Sequence, residues 1–181
     1  MRALLLCLLL AACAAPNLTL YTLGTVSSEA PPPGRPRAVI AVARVTIPDE
    51  LDTQDIVVRD GSTLRRSSLG RWASRLSLGI TDRLTERLGK RYPDALVTDR
   101  PLAETPAERV VVNISRLDVT SAGEATLDAD WVVVPRDPRR PTSRDRLHVT
   151  ATGPVATDQD VVTLVSGLLD RLAAAINIGP H

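Results

Sequence analysis

The sequence predicts an α+β fold, a mixed α/β sandwich in which a mainly antiparallel sheet carries two long helices. Three observations point there. Most segments between residues 38 and 152 alternate apolar with polar side chains, the period of a strand. Two other segments, 69–88 and 161–176, repeat apolar residues at three- and four-residue steps, the period of a helix. The resulting order, β-ββ-α-β-βββ-α, suits a mainly antiparallel sheet carrying two helices.

The elements follow in order. LTLYTLG, Leu18 to Gly24, is a short β-prone patch that can pair as an edge strand or lie on the domain surface. SSEAPPPGRPR is rich in Pro, Ser and Gly and reads as extended tether. In AVIAVARVTIP, Val39, Ala41, Ala43, Val45 and Ile47 alternate with Ile40, Val42 and Arg44; both faces are apolar, as in a central strand, and Pro48 ends it. IVVR and TLRR flank Asp60-Gly61, a hairpin turn signal. A long helix is expected next, with Leu69, Trp72, Ala73, Leu76, Ile80, Leu84 and Leu88 on its apolar face. Arg71, Arg75, Arg83, Arg87 and Arg91 form a second stripe, read as a solvated face, and Gly89 then Pro93 end the helix. ALVTD is a short strand.

Two long strand patterns, RVVVNISRLDVTS and ATLDADWVVVP, surround Ala122-Gly123-Glu124. In the first, Val110, Val112 and Ile114 alternate, and Leu117 and Val119 continue in the opposite register, so a bulge is expected near Ser115-Arg116. With RLHVTATG they make an antiparallel meander. Thr157 and Asp160 have the spacing of a capping box for a final helix that buries Val161, Leu164, Val165, Leu168, Leu169, Leu172 and Ile176 and ends at Gly179.

The amino-terminal run MRALLLCLLLAACAAP is too short to span a bilayer, which takes about 20 apolar residues. Arg2, the apolar run and the small residues after it fit an export signal. Leu10-Ala11-Ala12-Cys13 resembles the lipobox of bacterial lipoproteins, which implies cleavage after Ala12 and lipid on the Cys13 thiol. The competing reading is a soluble secreted chain cut near Ala15. Several acyl chains on one residue would make the attachment stable. Ala14 stands where inner-membrane lipoproteins commonly carry Asp, which favours the outer membrane. The expected organisation is a signal peptide over 1–12, lipidated Cys13 with a flexible tether to residue 36, and one domain over 37–179.

Composition narrows the chemistry. The 22 basic and 21 acidic residues nearly cancel, so bulk charge makes no case for nucleic acid. Lys90 is the one lysine, a pattern read as coding bias. Phe is absent, so Val, Leu, Ile and Ala build the core, joined by Trp72 and Trp131. No cysteine follows Cys13, which excludes disulfides within the mature protomer. His148 and His181 have no ligand-spaced partner, so neither a metal nor a cofactor is expected. Asp128 and Asp130 alternate with apolar residues and read as a solvated strand face; Arg139-Arg140, between prolines, read as a loop tip.

Residues 47–96 carry a resemblance. Pro48, Leu51 and Asp52 precede Ile56, Val57 and Arg59, then Arg71-Trp72-Ala73 and Leu76 follow, and Tyr21-Thr22-Leu23 lies shortly after Cys13. In that order they resemble the PqiC-like family, auxiliary lipoproteins of ABC-type and MCE-protein (mammalian-cell-entry-type) lipid transport systems. Ser74-Arg75 depart from the acidic residue and Pro common after the family's R-W-A. The resemblance implies a non-catalytic outer-membrane lipoprotein that docks the distal end of a periplasm-spanning MCE assembly and helps move phospholipid. A structural or assembly lipoprotein that carries no lipid, and a hydrolase with an unrecognised site, are the rival readings.

The segment Pro48 to Arg59 is the candidate contact surface, with Pro48, Leu51, Asp52, Ile56 and Arg59 as its residues. PDELDTQD is polar and turn-rich and runs straight into the short strand IVVR, whose edge another copy can pair with, closing a ring. The alternative is that IVVR pairs with TLRR and the central strand inside one protomer.

Overall fold

The computed structural model describes residues 17–24, 36 and 38–179. The expected signal peptide, Cys13, most of the Pro-rich tether and His181 lie outside the described residues. In chain order the elements are β1 (Thr19–Tyr21), β2 (Ala38–Val42), β3 (Asp55–Asp60), β4 (Thr63–Trp72), α1 (Leu76–Arg91), β5 (Ala95–Thr98), β6 (Glu108–Val119), β7 (Glu124–Pro135), β8 (Ser143–Thr152) and α2 (Asp158–Ala175).

They form an α+β fold with two sheets, ordered β5-β2-β6-β7-β8 and β1-β4-β3. β6, β7 and β8 are the expected antiparallel meander. β2, apolar on both faces, lies between β5 and β6 and is parallel to both. The sheets are therefore mixed, where a mainly antiparallel sheet was expected. The reason is connectivity: β3, β4 and α1 together make the crossover that a parallel β2–β5 pair requires.

Local signals in the sequence hold where they were expected to act. Asp60 pairs with Thr63, and Gly61 takes a φ of 59° to close the β3–β4 hairpin. The β6–β7 register slips between Ile114 and Arg116, and this returns Leu117 and Val119 to the buried side. Thr157 Oγ1 accepts the Asp160 N–H and Asp160 Oδ2 accepts the Thr157 N–H, a complete capping box for α2. The tether patch is indeed an edge strand: β1 runs parallel to β4, with Thr19, Leu20 and Tyr21 opposite Gly70, Arg71 and Trp72.

The first helix begins seven residues later than its periodicity predicts. Leu69 and Trp72 belong to β4, and Leu69 is 53% exposed. Two features hold this stretch extended. β1 and β3 pair with it from both sides, and a bulge opens at Ser67–Gly70, where Ser67 Oγ accepts the N–H groups of Leu69 and Gly70 and donates to Asp158 of α2. Gly70 permits that approach, since a Cβ there would stand 2.3 Å from Asp158 Oδ2. Tertiary pairing overrides the helical period here.

One continuous core joins the layers. Ile40, Ile80, Leu84, Leu88, Val110 and Leu168 are fully buried, and Trp72 and Trp131 take their expected core places. The arginine stripe of α1 is solvated only in part: Arg75 and Arg91 are exposed, while Arg83 and Arg87 turn to α2. Arg83 is 8% exposed, and Arg83 and Arg87 both grip the Asp170 carboxylate on α2 at 2.8–2.9 Å. Arg91 donates to the carbonyls of Ala173, Ala174 and Ile176, which closes the C-terminus of α2. Arg140, expected at a solvated loop tip, pairs instead with Glu108, which is 1% exposed.

Candidate functional site

The signature residues meet at one junction where the two sheets and the start of α1 come together. Pro48 O accepts the Leu51 N–H at 2.9 Å, and this turn aims Asp52 at the helix. Asp52 Oδ1 accepts the Ser77 N–H at 3.1 Å, while Oδ2 faces Arg44 Nη2 at 3.3 Å and Arg75 Nη2 at 3.1 Å. Arg44 also donates to Ser77 Oγ from Nη2 at 2.8 Å and from Nε at 3.1 Å. Arg75, at the N-cap position of α1, supplies no side-chain cap, so Asp52 caps the helix from another segment. Burial raises the Asp52 carboxyl's pKa, but the Ser77 hydroxyl and N–H, then Arg75 and Arg44, outweigh that and hold it below its ordinary value.

The rest of the signature fastens the same joint. Thr53 O accepts the Leu76 N–H at 3.0 Å, and Gln54 O accepts the Trp72 N–H at 2.8 Å. Asp55 bridges Arg66 and Arg71 at 3.0 Å each. Arg59 Nε reaches both carboxylate oxygens of the buried Asp118 at 2.7 and 2.8 Å, tying β3 to the far end of β6.

Of the residues expected at a contact surface, the structure turns Leu51 and Ile56 into the core, at 7% and 1% exposure. Asp52 and Arg59 are engaged in the joint, and Pro48 is half-buried. IVVR pairs with TLRR in the same protomer, the alternative the sequence left open. The central strand β2 is in the other sheet and does not join them. The segment turns Asp49, Glu50 and Gln54 outward, and β3 is the last strand of its sheet.

Open grooves flank the joint. A cleft of about 330 Å³ lies between the residues around β1 and α1, lined by Tyr21, Leu23, Trp72, Leu76, Asp82 and Arg100. Arg83 Nη1 donates to Leu23 O at 2.5 Å and holds the cleft's β1 wall on the helix. Desolvation, then the neighbouring Asp99, raise the Asp82 pKa against the opposing pull of Arg100. A second groove of about 520 Å³ runs along the β4 bulge and the start of α2, between Ile56, Ser67, Leu69, Val155 and Asp158. On the outer face of β7 and β8, Asp128 Oδ1 meets His148 Nδ1 at 2.5 Å and Asp130 meets Asn113 at 2.9 Å, so the D-x-D is occupied by strand neighbours. No cluster of three metal-ligating side chains exists among the described residues.

The sequence family described as "ABC-type transport auxiliary lipoprotein component" matches residues 21–177. The chain belongs to this family. The matched span takes in the whole joint, both helices and every strand from β2 onward. Two crystal structures share the fold. An uncharacterized protein superposes with a TM-score of 0.70 at 15% identity, covering 87% of this chain and 95% of the other. A protein of Xanthomonas campestris superposes with a TM-score of 0.62 at 17% identity, covering 86% and 90%. No curated protein matches the chain.

Family membership makes the chain an accessory lipoprotein of ABC-type transport and gives it a membrane-anchored place in the cell envelope. It also changes how the signature is read. Its residues build the joint between sheets and helix, and several are buried by doing so. Sequence reasoning missed Arg44 and Ser77, which complete the Asp52 site. No local pattern marks them, because they lie 8 and 25 residues from Asp52.

Proposed function

We propose that the chain is a non-catalytic outer-membrane lipoprotein, anchored through Cys13. It would dock the distal end of a periplasm-spanning MCE-type assembly that moves phospholipid. The observation that carries this reading is the family match beginning at Tyr21, eight residues after a cysteine preceded by Leu-Ala-Ala. The short separation leaves room for a lipid anchor and little else before the domain. The proposal includes self-association: β3 ends its sheet, and its backbone edge ahead of the Arg59–Thr120 bridge is the kind of element a second copy pairs with.

Four measurements test it. Cys13→Ser should move the protein from the membrane pellet to the soluble periplasmic fraction, and a variant that stays in the membrane after a high-salt wash refutes the anchor. Affinity purification of the lipidated chain should recover an MCE-type periplasmic protein. Recovery of the chain with no transporter component refutes the docking role. Uptake of labelled phospholipid by the delipidated chain would show that the domain itself carries cargo. Sedimentation at micromolar concentration reads the oligomer, and a clean monomer refutes the ring.

A further inference from the structure

The expected tether covers residues 13–36, and within it the structure fixes the Leu18–Gly24 patch to the domain. Tyr21 O accepts the Ala73 N–H at 2.7 Å, and Leu23 O is held by Arg83. The chain is thus fixed to the domain from β1 to Leu23, and five residues of sequence lead from Cys13 to Leu18. Five residues reach at most about 18 Å even when fully extended. Taking Cys13 as the anchor, as proposed above, whatever surrounds Leu18 lies within that distance of the lipid.

What surrounds it is apolar and uncovered. Leu18 and Leu20 are 54% and 60% exposed, and Leu69 is 53% exposed. Thr19 is in register with Gly70 and Leu20 with Arg71, so Leu18, one residue before Thr19, falls at the level of Leu69 on the adjoining strand, about 4.8 Å away, and Leu20 follows on the same face of β1. These three are the most exposed large apolar side chains among the described residues. Their strand neighbours Tyr21 and Trp72 turn inward and pack, so the leucines are not a fraying part of the core. On the same hairpin the side chains of Arg65 and Arg66, paired with Asp60 and Asp55, are 71% and 69% exposed. Leucine beside arginine, at the point where an acyl anchor leaves the chain, is the composition of a surface that lies in the headgroup layer.

We propose that Leu18, Leu20 and Leu69 dip into the interface of the bilayer that holds the lipid anchor. The domain is then attached at two points. It stands on its β1–β4 edge in one orientation, with the five-stranded sheet and its meander carried away from the membrane.

The test uses the full lipidated chain in vesicles of phosphatidylethanolamine and phosphatidylglycerol. Single cysteines replace Leu20, Leu69 or, as a control on β5, Leu96, which is 46% exposed. Each is labelled with an environment-sensitive fluorophore. Probes at 20 and 69 should shift to the blue on reconstitution and be quenched several-fold more by lipid-borne quenchers than the probe at 96. Probes at 20 and 69 that stay as accessible to aqueous iodide as the probe at 96 overturn the proposal. So do probes that become dry without vesicles as protein concentration rises, since the leucines would then lie between copies. A chain that fails to join vesicles at all refutes the Cys13 anchor, and probes that stay wet on an anchored chain refute only the second contact.

Discussion

Asp52→Ala removes the side chain on which the start of α1 depends. The loss has two parts. The first is the accepted Ser77 N–H, and deleting a helix cap costs about 0.5–2 kcal/mol. The second is the pairing with Arg44 and Arg75, whose side chains are 52% and 59% exposed, so each pair contributes at most about 1 kcal/mol. The sum is about 0.5–4 kcal/mol, and each kcal/mol lowers Tm by roughly 2–4 °C in a domain of this size. Asn at this position keeps an acceptor oxygen and loses the charge, so Asp52→Asn should fall between wild type and Asp52→Ala. The pH dependence follows from the lowered carboxyl pKa. A carboxyl held below its unfolded value of about 3.9 contributes stability that is fully present above that value and is lost as pH falls through the folded one. Thermal unfolding by circular dichroism of the Cys13→Ser chain, followed from pH 7 to pH 2, reads both effects. The gap between wild type and Asp52→Ala should be constant above about pH 5 and narrow below about pH 4. An unchanged Tm at neutral pH refutes the capping role. A gap of the same size at pH 7 and pH 2 refutes the electrostatic part.

Other substitutions probe separate parts of the fold. Trp72→Ala empties a site that is 4% exposed and should cost about 3–5 kcal/mol, seen as a lower urea midpoint with an unchanged slope. Asp170→Ala leaves Arg83, 10% exposed at its side chain, without its carboxylate. Because Asp170 is itself 35% exposed, the expected cost is about 2–3 kcal/mol, below that of a fully buried pair, again read by urea unfolding. Asp82→Asn tests the opposite sign: its carboxyl is raised, so its charge opposes folding as pH climbs above about 3.9. The variant should match wild type in Tm near pH 3 and exceed it at pH 7.

How much of this was legible in the sequence depended on range. The Thr157 capping box, the Asp60-Gly61 turn and the slip at Ile114 are each written within a few residues, and each appears where its pattern placed it. The start of α1 was not legible, because what ends β4 is pairing with β1, some fifty residues upstream, and what caps the helix is Asp52. The arginine stripe shows the same limit. Charges at four-residue steps look alike whether they face water or a second helix. Only the packing of α1 against α2 brings Asp170 to Arg83 and Arg87 and buries Arg83.

The candidate site follows the same logic. Polar residues such as Asp52 and Arg59 beside a short strand look, in sequence, like an exposed contact segment. In the fold each is satisfied within the protomer: Asp52 accepts the amide N–H of Ser77, and Arg59 donates to the buried carboxylate of Asp118. A buried charge is tolerated only when it is paired, so Arg59 and Asp118 must stay together for β3 to remain against β6. The signature residues by which the sequence resembles the family are therefore largely those of its joint. Residues that meet a membrane or a transporter have to be sought where the joint has no use for them. The leucines of the β1–β4 edge fit that description, since they remain exposed in a chain whose other large apolar residues are mostly packed away.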